Sequence, residues 1–318
     1  MASSTSPVRP IAPRHDPKQM RGVYTIPVTP FDRDGALDEA SLRRCVEFCV
    51  RAGAHGLVAP VNASEFTSLT DAERMRVAAV VVETGGRRRP VVIGVSGTSA
   101  RHAAQFARDA RRVGADAVIA MPPYVRKAAG DEVVEYFRVV AGAAELPVFI
   151  QNYQAPVGTP LNAAFLARIV KEVDGVEYVK EETLPAGHVI TEVLRQAGPR
   201  LRGVMGGMAG RFLLDEHRRG ICGTMPACEV TDVHVQLWDA LEAGDDKRAR
   251  SIYQRLLPLL TIEWLYGASV YKEVLRRRGV IQSTFTRDAG LHKLDEFDHK
   301  ELDAILADVG ELFTATAP

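Results

Sequence analysis

The chain has 318 residues, of which 46% are hydrophobic and 25% charged, and its 40 Lys and Arg offset its 40 Asp and Glu. These are ordinary values for a globular protein with room for one large domain, and they lack the strong basic bias of a nucleic-acid binder. No apolar run reaches the ~18 residues of a membrane span.

The first segment, 1–19, carries four prolines and no apolar signal-type core, and is expected to be a disordered tail. From Arg21 onward, β-like runs alternate with helical patterns. The strand runs are "GVYTIPVTPF" (22–31), "GLVAPV" (56–61), "PVVIGVS" (90–96), "AVIAMPP" (117–123), "PVFIQNY" (147–153), "VEYVKEE" (176–182), "RGVMGGM" (202–208) and "GICGTMP" (220–226). Between them lie amphipathic stretches such as 38–53, 70–86 and 99–115, each with a capping residue near its start and glycine at its end. Eight strand–helix alternations between 20 and 244 predict a (β/α)8 TIM barrel. A doubly wound sheet is the alternative, but no G-x-G-x-x-G follows the first strand. The stretch 229–243 closes the barrel, and three further helical patterns, 245–263, about 267–278 and 296–313, predict a C-terminal helical appendage over 245–318.

Local basic runs, "GGRRRP" (85–90) and "LRRRG" (275–279), fall where helices end and cations favour the helix dipole. Cys45, Cys49, Cys222 and Cys228 show no C-x-x-C spacing and are expected to be buried thiols of a cytoplasmic protein. The histidines lack H-x3-H and H-E-x-x-H spacing, so no metal is expected.

In a barrel of this class the working end is the mouth formed by the C-terminal ends of the strands. Those ends read "TPF" (29–31), "NASEF" (62–66), "SGTS" (96–99), "PPY" (122–124), "QNYQAPVGT" (151–159), "KEET" (180–183), "GGMAG" (206–210) and "TMPA" (224–227). A period of two on the sixth strand puts Val176, Tyr178, Lys180 and Glu182 on one face. If that face lines the barrel, Lys180 points into the mouth. An amine taken out of water can attack a ketone as the neutral base and form a Schiff base, whose iminium is an electron sink for breaking bonds at neighbouring carbons. The competing interpretation of Lys180 is a solvated lysine past a strand end. Phosphate binding at "GGMAG" is a weak alternative, because no cation follows before Arg211.

These residues resemble the dihydrodipicolinate synthase / N-acetylneuraminate lyase superfamily over about 20–318, through "PVTPF" (27–31), Glu65, "MPPY" (121–124) and the Lys180 strand. Within it they are most similar to the L-2-keto-3-deoxyarabonate dehydratase branch: "NASE" (62–65), "QN" (151–152), "KEET" (180–183), and a G-T-x-L followed by "FLAR" (158–168). Two departures disfavour a dihydrodipicolinate synthase. The family's G-T-T-G-E is "VNASE" (61–65), and its strand-five tyrosine, a proton relay, aligns with Gln151. The arginine that synthases use for a second substrate is absent from "QAPVGT" (154–159).

The resemblance implies that Lys180 is the Schiff-base residue, that the substrate is a small 2-oxo acid, and that no cofactor is needed. Asn62, with the N–H groups of Ala63 and Ser64, is a candidate cradle for the 2-oxo carboxylate, or else merely a turn and N-cap. Glu65 is expected to hold that loop by accepting its N–H groups. Gln151 can donate to a substrate hydroxyl but cannot relay a proton. Glu182 is therefore the first candidate base, Tyr124 the second and Tyr153 the third. Gly206, Gly207, Gly223 and Thr224 are expected to let backbone approach the ligand. By resemblance Tyr124 projects into a neighbouring subunit, so a homo-oligomer, dimer or tetramer, is expected, with no nucleic-acid or membrane partner. The expected activity is dehydration of a 2-oxo-3-deoxy sugar acid. The alternatives are pyruvate-releasing aldol cleavage and a non-catalytic sugar-acid-binding barrel.

Overall fold

The computed structural model describes residues 20–126, 128–154, 159–288, 290 and 292–318. The expected tail thus lies outside the described residues, as does most of the "QAPVGT" loop. Eight parallel strands close on themselves in chain order: β1 (Gly22–Thr25), β2 (Gly56–Ala59), β3 (Val91–Gly94), β4 (Ala117–Ala120), β5 (Val148–Tyr153), β6 (Val176–Glu182), β7 (Gly203–Gly206) and β8 (Gly223–Thr224). Helices alternate with them: α1 (Glu39–Arg51), α2 (Asp71–Gly85), α3 (Ala100–Val113), α4 (Asp131–Ala144), α5 (Ala163–Glu172), α6 (Ala186–Gln196), α7 (Leu213–Arg218) and α8 (Thr231–Glu242). Three more follow, α9 (Asp246–Tyr266), α10 (Ala268–Arg277) and α11 (Glu296–Val309), of which α9 packs on α8 and α11 on α9. The (β/α)8 barrel with C-terminal helices is therefore present.

Local chemistry sets the helix starts. Thr70 and Glu73 form a reciprocal capping box on α2, and the side chains of Asp38, Ser99 and Asn162 accept N–H bonds at the starts of α1, α3 and α5. At the end of α3, Gly114 takes a left-handed φ of 89°, which a glycine adopts without steric cost.

Most strands are shorter than their apolar runs. β1 ends at Thr25 because Pro27 has no N–H to give the ladder, and only a single bridge, Ile26 to Ala227, continues it. Two apolar layers result. An inner cluster including Tyr24, Ile26, Val58, Val92, Ile119, Phe149, Tyr178, Met205 and Met225 fills the barrel, with Phe149 and Tyr178 stacked at 4.3 Å. An outer cluster joins strands to helices.

One expectation about β6 is corrected. Val176 does not share the face of Tyr178 and Lys180 but belongs to the outer cluster. Val148 pairs with Val176 while the next residue, Phe149, pairs with Tyr178, so the extra residue, Glu177, breaks the period of two.

Candidate active site

Beyond that irregularity the alternation of β6 is regular, and Tyr178 inside the barrel carries Lys180 and Glu182 to the same side. Gln151 of β5 is in register with Lys180, Lys180 with Met205 of β7, and Met205 with Gly223 of β8. Lys180 is buried, its side chain 3% exposed, and its Nζ lies 3.2 Å from Oε1 of Glu182. The other carboxylate oxygen of Glu182 accepts a 2.7 Å hydrogen bond from Nε2 of Gln151, and the Met208 N–H donates to Oε1 at 3.4 Å. Glu182 is thus gripped from three directions. A Cβ on Gly207 would stand 2.3 Å from Cγ of Glu182, so only glycine leaves room for this carboxylate. The Tyr153 phenol is pushed up to about 12, by burial first and then by the charge of Glu182, which places Tyr153 beside the pair.

The intervening residue, Glu181, faces the helices. Its carboxylate accepts from Asn152 Nδ2 at 2.8 Å, from the Thr183 N–H at 2.7 Å and from the Thr183 hydroxyl, while burial pushes it up to about 6. Asn152 also exchanges bonds of 2.8 and 2.9 Å with the Leu161 backbone, which ties β5 to the start of α5.

At the end of β2, Asn62–Ser64 forms one turn of 3-10 helix. Ser64 is committed to structure: its N–H bonds Val61 O at 2.8 Å, its hydroxyl bonds Pro27 O at 2.8 Å, and its carbonyl accepts from Thr29 Oγ1 at 2.7 Å. This corrects its expected place in the anion cradle, since its N–H already has a partner. Asn62 and Ala63 remain as candidate donors, and Ala63 packs against the inner cluster. Glu65, at φ 53°, is buried and does hold the loop, but through partners other than those expected. It accepts from Lys272 of α10 and from the N–H groups of Arg287 and Asp288, at 2.7 and 3.0 Å. Nothing in the sequence marks that contact, because its partners are more than 200 positions away.

The structure moves two other expected residues out of the cluster. Gly206 presents its side-chain direction to α7, where Oε2 of Glu216 would meet its Cβ at 2.1 Å. Thr224, in register with Gly206, alternates with the inner Met225 and so also faces the helices, where its buried Oγ1 has no hydrogen-bond partner among the described residues. Gly223 stays in the inner row beside Met205. Tyr124 is partly buried and packs edge-on against Phe66 at 5.8 Å, and among the described residues it makes no hydrogen bond to Lys180, Gln151 or Glu182. Among the described residues no group of three or more His, Cys, Asp and Glu side chains is placed to hold a metal ion.

A closed barrel with a buried lysine–carboxylate pair at the ends of its strands falls in the class of (β/α)8-barrel enzymes. Comparison with known proteins narrows the class: residues 19–308 match the dihydrodipicolinate synthetase family. The chain is 33% identical over 275 residues to L-2-keto-3-deoxyarabonate dehydratase of Azospirillum brasilense, covering 85% of this chain and 87% of that one. It is 32% identical to a 4-hydroxy-tetrahydrodipicolinate synthase of Methylobacterium radiotolerans, over 76% of this chain and 80% of the relative. Among solved structures, dihydrodipicolinate synthase of Rhodopseudomonas palustris superposes with a TM-score of 0.84 at 27% identity, covering 92% of this chain and 98% of that one. YagE of E. coli K12, a prophage protein of the dihydrodipicolinic acid synthase family solved in complex with pyruvate, gives 0.84 at 26% identity, covering 91% and 98%. The protein belongs to the dihydrodipicolinate synthetase family and is one of its lyases.

Proposed function

We propose that the protein is a Schiff-base dehydratase of a 2-oxo-3-deoxy sugar acid, with 2-keto-3-deoxypentonate as the substrate and 2-oxoglutarate semialdehyde as the product. The observation that carries the proposal is the buried Lys180, 3.2 Å from a carboxylate that Gln151 holds from its far side. Its similarity to a dehydratase named for such a substrate supports the choice.

In this scheme Lys180 condenses with the C2 ketone and releases water. Glu182 takes a proton from C3, and the resulting enamine expels the C4 hydroxyl, which leaves as water after protonation. Tautomerisation then places the aldehyde at C5, and hydrolysis frees Lys180. Aldol cleavage needs a base at the C4 hydroxyl. Where the resemblance puts a phenol for that task the chain has Gln151, whose amide is already donated to Glu182. Asn62 and the Ala63 N–H are the proposed carboxylate donors. Tyr124, next to Val125 at 69% exposure, is proposed to complete the site of a second copy in a cytoplasmic dimer or tetramer.

The test is borohydride reduction in the presence of the substrate, followed by mass analysis of the Lys180 peptide. A covalent adduct at Lys180, its loss in Lys180→Arg, and a product lighter than substrate by one water are expected. An unmodified chain would make it a binding barrel, and stoichiometric pyruvate would make it an aldolase.

A further inference from the structure

Glu216 is a buried acid adjoining this site that the proposed reaction leaves unused. It lies on α7, fully buried, and among the described residues neither carboxyl oxygen has a hydrogen-bond partner. It occupies the notch that Gly206 leaves on the outer side of β7, with Oε2 2.1 Å from where a Cβ would be. The next two residues of the chain, Gly207 and Met208, are those that face and bond Glu182 from the inner side. One carboxyl therefore backs the short segment against which another is held.

The charged and titratable groups facing Glu216 are almost all acids. Asp215 precedes it on α7, Glu181 and Glu182 approach from β6, and Tyr253 approaches from α9. Of the basic residues that follow it in the chain, His217 lies 2.8 Å from Glu242, Arg218 is exposed and Arg219 lies 2.8 Å from Asp215. From β8 comes only the uncharged Thr224 hydroxyl, in register with Gly206. A carboxylate in this setting would be desolvated, unpaired and repelled, whereas the neutral acid packs as an apolar-shaped wedge.

Resting on the proposed reaction, we infer that Glu216 is a positioning residue: its uncharged carboxyl wedges β7 so that Gly207 and Met208 hold Glu182 against Lys180, and its ionisation releases that hold. Burial, then the charges of Asp215, Glu182 and Glu181, push its pKa up to about 8, so the release falls on the alkaline side of neutrality.

The test compares the unaltered full-length protein with Glu216→Gln, which keeps the shape and cannot ionise. Glu216→Leu serves as a second neutral variant should the glutamine fail to fold. Hydrogen exchange of a peptide covering 203–212 is measured at pH 7 and pH 9, each protein against the other at matched pH. At pH 9 the segment should exchange roughly tenfold faster in the unaltered protein than in Glu216→Gln, and equally at pH 7. Turnover of 2-keto-3-deoxypentonate should fall about tenfold in kcat from pH 7 to pH 9 in the unaltered protein and less than about twofold in the variant, with KM unchanged. Equal exchange of the two proteins at pH 9 would overturn the inference, and so would a difference in exchange with superimposable turnover profiles. If neither protein turns over any 2-oxo-3-deoxy acid, the exchange result alone decides for or against Glu216, and the failure counts against the reaction.

Discussion

Replacing Glu65 by alanine should be among the most damaging single changes in the barrel, although Glu65 touches none of the reacting groups proposed above. Its carboxylate and the Lys272 ammonium are both fully buried, and the same carboxylate accepts the N–H groups of Arg287 and Asp288. Breaking a buried ion pair from one side costs about 3–5 kcal/mol, because the remaining charge is left uncompensated. Two orphaned N–H groups would add about 1–3 kcal/mol each if fully buried. Both residues are only partly buried, so water recovers much of that, and Lys272 keeps the Phe285 carbonyl at 2.7 Å and the Phe31 ring at 4.3 Å. The positive φ at position 65 strains glutamate and alanine alike and cancels. A net loss of about 4–6 kcal/mol is expected, comparable to the whole stability of many domains. Urea unfolding at fixed protein concentration reads it as a shift of midpoint at constant slope. The double variant Glu65→Leu/Lys272→Met, which removes both charges, should recover at least half of the loss. A loss below about 1 kcal/mol for Glu65→Ala, or a double variant no more stable than the single, would refute the assignment of the pair as the tie between the β2 loop and α10.

Glu182→Gln should still be trapped by borohydride on Lys180 yet form product about 10²-fold more slowly, the usual scale of acid–base catalysis; normal turnover would remove Glu182 from proton transfer. Gly207→Ala places a methyl 2.3 Å from Cγ of Glu182, so kcat should drop at least about tenfold with the fold intact by circular dichroism, and unchanged kinetics would contradict the tight fit. Glu229, fully buried against Glu263 and Cys228, has its pKa raised to about 7 by burial and then by Cys228. Because the folded-state value lies above the unfolded one, its stabilising contribution is present below about pH 4.5 and is lost as pH rises through about 7. Thermal melts from pH 5 to 9 should therefore show Glu229→Gln gaining on the unaltered protein by on the order of a few kcal/mol above pH 7, and parallel curves would exclude the effect.

Periodicity and capping residues suffice for the order of elements, because they act within a few residues of chain. Alternating β and α patterns between 20 and 244 specify a barrel, and α1, α2 and α3 begin within a residue or two of their Asp38, Thr70 and Ser99 signals. The inward direction of Lys180 and Glu182 was likewise legible, since a strand's alternation is local. The same rule misplaced Val176, because the extra residue at Glu177 is set by pairing with β5. It gave no direction for Gly206 and Thr224, because runs such as "GVMGG" and "CGTMP" do not say which face is inner until neighbouring strands fix their register. The hold of Gln151 and Met208 on Glu182, the tie between Glu65 and Lys272, and the packing of Glu216 against Gly206 were decided only by the tertiary structure. Each joins groups from elements that are apart in the chain and meet only in the folded barrel, and no local dihedral preference encodes such a distance.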